Sequence, residues 1–207
     1  SDPTLIENDF DLRTIDLFSV ESIEIIRGAA SSLYGNAAAT AVIKIITNKP
    51  KQQSMSGSIR TIFGTNNDKW DFPIEPNFQT RQLQFALGNA THACSISLSD
   101  QRTMGMSSVI GTEDDSTAKQ NLSAQYQLQL SSVFRLNTIF SKDYFSSEYD
   151  DSFPALMDAD NHFTSESQRV IVQPKWTGKS SSFVGRVSWS SSSRDFVSSF
   201  PMYFEGY

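Results

Sequence analysis

A single cysteine, Cys94, among 207 residues leaves nothing to build an internal disulfide framework or a cysteine-rich metal site. The only two histidines, His92 and His162, lie far apart, and neither has a ligand-type neighbour at helical or hairpin spacing. No metal site and no cofactor are therefore expected. No apolar run approaches the roughly 18 residues of a membrane-crossing helix. Positive charge is scarce: 17 Lys and Arg face 23 acidic residues, giving a net charge of −6. A nucleic-acid partner is not expected, because no basic stripe exists to neutralise phosphates. The serine-rich stretches at 180–182 and 190–193 contain no G-x-S-x-G elbow. Neither histidine sits in a triad context, so no catalytic residue is assigned and the chain is not read as an enzyme. The opening "SDPTLIENDFDL" has neither a basic n-region nor an apolar h-region, so any signal peptide is expected to have been removed or never included.

What is present is patterned. Hydrophobic residues make up only 38%, yet aromatics reach 12%, a combination that disordered chains do not show. The first fifty residues read as a compact α/β unit. A strand over Ile23 to Arg27 is followed by one or two helical turns over Ala29 to Tyr34. Gly35 stands at the left-handed C-cap position, and a second strand runs through "AVIKIIT". From Met55 onward the period becomes two. Leu83, Phe85 and Leu87 alternate with glutamines and Ala86; Cys94, Ile96 and Leu98 alternate with serines; Leu122 to Leu130 does the same. About seven strands follow, several reaching the roughly 9–11 residues that cross a bilayer at a tilt.

The joints between these strands alternate in length. Short ones fall at Gly88–Asn89, Ser131–Ser132 and Gly178–Ser180, and long ones at roughly 65–78, 102–117 and 145–165. Outer-membrane barrels place short turns on one side and long loops on the other. Charge placement agrees. Arg60, Arg135, Arg169, Lys175 and Arg186 share the polar parity, whereas Arg81 and Lys142 fall on the apolar parity only at strand ends. The expected fold is mainly β: part of an antiparallel transmembrane β-barrel, about seven strands of a larger one, preceded by a small α/β segment. The acid-rich "EYDDSFPALMDADNH", 148–162, reads as a solvated external loop, because it lacks the glycine and terminal glutamate of a calcium loop.

Residues 20–50, "VESIEIIRGAASSLYGNAAATAVIKIITNKP", resemble the C-terminal part of the plug domain of TonB-dependent outer-membrane receptors. Ile23, Glu24, Ile25, Arg27, Gly28, Ser31, Leu33, Tyr34, Gly35, Ala38, Val42, Ile43, Ile45, Ile46, Thr47 and Pro50 match the family pattern in register without a gap. Ala29 replaces its proline, Thr40 and Ala41 its glycine pair, and Lys44 its asparagine.

The resemblance implies residues 1–50 as the C-terminal part of a plug and 51–207 as the first strands of a barrel that has about 22 strands in the family. The chain is then expected to be a fragment of a longer receptor in the outer membrane of a Gram-negative bacterium. The activity it implies is active uptake of a scarce nutrient, most often an iron chelate of the siderophore type and sometimes cobalamin. The driving partner is TonB, which engages an N-terminal segment not among these residues; the surrounding partner is outer-membrane lipid. Glu24, Arg27, Gly28, Ser31, Tyr34 and Gly35 are the plug-motif candidates, with Arg27 either paired to barrel-wall acids or solvated. Trp70, Phe72 and Phe78 are either ligand contacts or aromatic girdle residues. A passive porin-like or adhesin barrel, and a soluble β-rich binding module, are the alternative readings.

Overall fold

The computed structural model describes residues 15–28, 41–65, 77–104, 115–151 and 157–198. These form two antiparallel sheets. A single 3-10 turn, Leu17–Ser19, leads into β1 (Val20–Arg27), which pairs with β2 (Ala41–Thr47). The second sheet is a meander: β3 (Met55–Gly64), β4 (Phe78–Gly88), β5 (His92–Met104), β6 (Ser116–Gln129), β7 (Phe134–Asp151), β8 (Met157–Thr177), β9 (Ser182–Val184) and β10 (Val187–Val197). Each strand pairs with its sequence neighbour, except that β9 and β10 both pair with β8. Both strands expected in the first fifty residues form. The helical turns expected over 29–34, with Ser31, Tyr34 and Gly35, lie outside the described residues, as do Trp70 and Phe72.

Two expectations need correction. The joint read as a loop over 145–165 is mostly strand. β7 and β8 stay in register from Phe134↔Trp176 out to Tyr149↔Asn161, and only 152–156 separate them. Backbone pairing needs no apolar face, so a ladder can run on past the point where hydrophobic alternation stops. Lys142, expected at a strand end, therefore stands midway along β7. β9 and β10 lie end to end along β8. Lys175 pairs with Val184 and Val172 with Val187, so the register is unbroken across Gly185 and Arg186. Pro174 stands at the gap without an N–H to give, and its carbonyl accepts from the Gly185 N–H at 2.9 Å.

The short turns are built by side chains that satisfy freed backbone N–H groups. Asn89 Oδ1 accepts from the N–H groups of Thr91 and His92, at 2.8 and 2.7 Å. Ser131 Oγ accepts from Phe134 N–H at 3.1 Å. Gly88 exchanges both backbone hydrogen bonds with Ser54, and a Cβ there would lie 2.2 Å from the Lys51 carbonyl oxygen. Close backbone approach therefore requires glycine at this turn.

Burial on the large sheet is inverted relative to a soluble core. On one face Ser97, Ser99, Asn121 and Thr80 are buried; on the other Ile59 is 81% exposed and Trp189 58% exposed. A sandwich would cover the apolar face with a second layer, and among the described residues no element does so.

The apolar outer face is also not level across the strands. Register links Phe63 through Gln79, Arg102, Ala118 and Ser146 to Thr164. The apolar run reaches Phe63 on β3, but on β8 it stops at Val170, six residues nearer the short turns than Thr164. The lower edge moves the same way, from Val172, in register with Met55, to Trp176. At about 3.4 Å per residue and 4.8 Å per strand, the band crosses the strands at about 30–40° from the rungs. Strands of outer-membrane barrels tilt by roughly 35–45°.

Candidate functional site

The β1–β2 hairpin and its leading turn sit against the polar face of the large sheet. Gln125 Nε2 on β6 donates to Thr47 Oγ1 at 3.1 Å and to the Asn48 carbonyl at 2.9 Å. Lys119 Nζ donates to the Ile15 carbonyl. The Arg60 guanidinium lies 5.3 Å from the centroid of the Phe18 ring, a cation–π contact. Asp16 caps the 3-10 turn by accepting from Phe18 N–H at 3.1 Å, and it also bonds Ser99. Burial raises the Asp16 carboxyl above the ordinary carboxylate range, against the opposing pull of the Phe18 N–H, Lys119 and Ser99. Asn121 donates to Asp143 at 2.6 Å, which continues the polar network along the wall. Apart from the Phe18 ring contact, these are hydrogen bonds that water can replace.

Residues 5–42 match the TonB-dependent Receptor Plug Domain. Over those residues the chain is similar to such a plug. The matched residues take in β1 and end at the start of β2.

Within the hairpin, Glu24 pairs with Lys44 at 2.9 Å. Arg27 ends β1 opposite Ala41 and is exposed. Among the described residues it has no acidic partner within ion-pair distance, so the wall acid suggested by the family resemblance is not one of them. Gly28 follows with φ of 104°, a conformation that only glycine adopts without strain. Phe78 opens β4 in register with Gly64 and Thr103, and its parity places it on the plug-side face.

Sequence reading missed the aromatics that join Phe78 at this end of the wall. Phe145 and Phe163 are buried with ring centroids 5.9 Å apart, and Phe163 lies 4.7 Å from Phe196. All three share the plug-side parity. Phe145 and Phe163 lie in the stretch over 145–165 where the sequence pattern predicts a loop. Alternation does not mark them, since Tyr144 and Phe145 adjoin on opposite faces and Ser146 and Ser147 follow.

Beside the hairpin, a cavity of about 550 Å³ is lined by Lys44, Lys49, Arg169, Arg186 and Arg194, with Asp16 and Asp143 as its acids. Its walls are serine-rich and its charge balance is positive. Among the described residues no cluster of three or more metal-ligating side chains occurs.

Proposed function

We propose that this chain is part of a TonB-dependent transporter that takes up a scarce nutrient across a Gram-negative outer membrane. On this reading residues 1–50 are the end of the plug and 51–207 are the first strands of the surrounding barrel. The observation that carries the proposal is the docking itself. A hairpin of plug sequence lies on the polar face of a sheet whose other face bears an oblique apolar band. Lipid solvates such a band; water does not.

The plug match points to transport rather than to chemistry on the solute. Each hydrogen bond between plug and wall is worth about 0.5–1.5 kcal/mol net, because water replaces it on release. A plug held by Gln125, Lys119 and Ser99 can thus be firmly seated and still be displaced by a pull of moderate strength. TonB, engaging a segment N-terminal to this hairpin, supplies that pull. The aromatics Phe78, Phe145, Phe163 and Phe196 at the long-loop end offer faces for an incoming solute. The basic lining beside the hairpin favours an anionic one, which supports an iron chelate of the siderophore type over a cationic nutrient.

The test uses the full-length receptor in a strain that depends on it for a limiting nutrient. Growth rescue by ferric chelates that is lost when TonB is deleted is the expected result. Rescue that survives TonB deletion would instead establish a passive pore.

A further inference from the structure

On the outer face of the sheet, at the long-loop edge of the apolar band, lies a concavity of about 670 Å³. Its floor is the rung Ile59, Leu83, Leu98 and Leu122, all in register. Its rim is formed by Arg81 and Lys142, with Asp100 and Gln120 between them. Arg81 and Lys142 both point outward by parity, as does Arg102 two residues beyond Asp100; a basic side chain there costs least at an interface and most in hydrocarbon.

The rim is not internally neutral. Asp100, opposite Arg81 in register, places its carboxylate 3.3 Å from Arg102 and accepts from Gln120 Nε2 at 3.1 Å. Arg81 instead turns its Nε and Nη2 to the Gln79 side-chain oxygen, at 2.7 and 2.6 Å in the amide orientation that satisfies both groups. Lys142 has no ion pair with a described residue, and Glu166, diagonally across on β8, lies beyond that distance. Asp100 is thus engaged by Arg102 and Gln120, and Arg81 and Lys142 stand beside an apolar floor with no ion-paired carboxylate among the described residues. Three strand spacings, about 14 Å, separate Arg81 from Lys142. That width admits several acyl chains side by side.

We infer that this concavity holds a phosphate-bearing lipid of the leaflet on the long-loop side, with acyl chains along Ile59, Leu83, Leu98 and Leu122 and headgroup phosphates on Arg81 and Lys142. The assignment rests on the transmembrane reading proposed above. Charge complementarity selects the occupant: a neutral lipid leaves both cations unpaired beside hydrocarbon, and an anionic headgroup satisfies them. The site belongs to the membrane-facing wall, so it is independent of the solute taken up inside.

The experiment compares the full-length receptor as wild type, R81Q/K142Q and R81K/K142R, purified in neutral detergent and titrated with lipid A, a bisphosphorylated multi-acyl glycolipid. Retention is read by native mass spectrometry. Wild type and the charge-retaining variant should hold lipid A about 10- to 30-fold more tightly than R81Q/K142Q, at roughly a factor of three to five per cation. Dephosphorylated lipid A should show no such difference, and added salt should shrink it. Equal retention by wild type and R81Q/K142Q, or dimerisation through this face without lipid, overturns the inference. Heat-modifiable gel mobility separates the two readings. A wild-type receptor that never inserts into membranes removes both, whereas one that inserts but ignores the phosphates removes only this one. If the double variant does not fold, R81Q and K142Q are read singly, each with about half the effect on a logarithmic scale.

Discussion

Glu24 on β1 and Lys44 on β2 stand opposite each other in register, their charged groups 2.9 Å apart and each side chain nearly half exposed. Lys44 stands where the resembled plug pattern carries asparagine, so an ion pair occupies a place where that pattern sets a carboxylate against a neutral amide. A pair this exposed contributes about 0–1 kcal/mol. Lys44→Asn should therefore lower hairpin stability by less than about 1 kcal/mol, and the difference should vanish in high salt. Hydrogen exchange of the β1 and β2 amides at two ionic strengths would show it.

Gln125 is the contact that ties the end of the plug hairpin to the wall. Gln125→Leu removes the donor to Thr47 and the Asn48 carbonyl together. Loss of about 1–2 kcal/mol of docking is expected, seen as roughly 5- to 30-fold faster exchange at the Asn48 amide, which donates to the Ser19 carbonyl at 2.8 Å. The β5–β6 ladder should exchange at its original rate; general acceleration would mean the wall itself had loosened.

Asp16 gives the docking a pH dependence of definite sign. Its folded-state pKa is raised by burial, so the docked form prefers the proton more than the undocked form does. Docking should weaken as pH rises from about 4 through the raised value and level off above it. Asp16→Asn should flatten this profile while keeping the cap to Phe18, as an asparagine oxygen accepts equally well there. A profile of opposite slope in the unmodified receptor would refute the assignment.

The oblique band predicts which arginines a bilayer tolerates. Ile59→Arg falls mid-band on β3 and should cost about 2–4 kcal/mol of membrane-folded stability; Val170→Arg lies at the band edge on β8 and should cost about 0–1 kcal/mol. Titration of the refolded receptor in vesicles with denaturant measures both. Equal costs would mean that the band runs along the rungs and the strands are not tilted.

Gly88→Ala should be far worse than Gly57→Ala. At Gly88 the new methyl would collide with the Lys51 carbonyl, whereas at Gly57 the nearest atoms are an ordinary 3.7 Å away. The collision is with backbone, which cannot rotate aside, so a cost of about 1–3 kcal/mol is expected at Gly88 and a small one at Gly57. Yield of the heat-modifiable form would separate them.

Local rules made much of this chain legible before any coordinates. Alternation with period two places Leu83, Ile96, Leu98 and Leu122 on one face and the serines and glutamines on the other, because successive strand side chains must point opposite ways. The same rule put Arg60 and Arg169 with the serines and Arg81 and Lys142 with the apolar set, but it does not carry strand length, and Lys142 stands midway along β7 rather than at its end. The plug segment was legible for a different reason, a long run of matching residue types in fixed order. What alternation does not carry is strand length beyond the apolar band, which is why β7 and β8 run well past the point where the sequence suggested a loop.

Three matters were decided only by tertiary structure. The pairing of Glu24 with Lys44, the seating of Thr47 and Asn48 on Gln125, and the slope of the apolar band all depend on which residues stand opposite each other. Register is a relation between strands, set by turn geometry and by the whole ladder at once. A single strand's sequence names the face of each side chain and leaves its partner open.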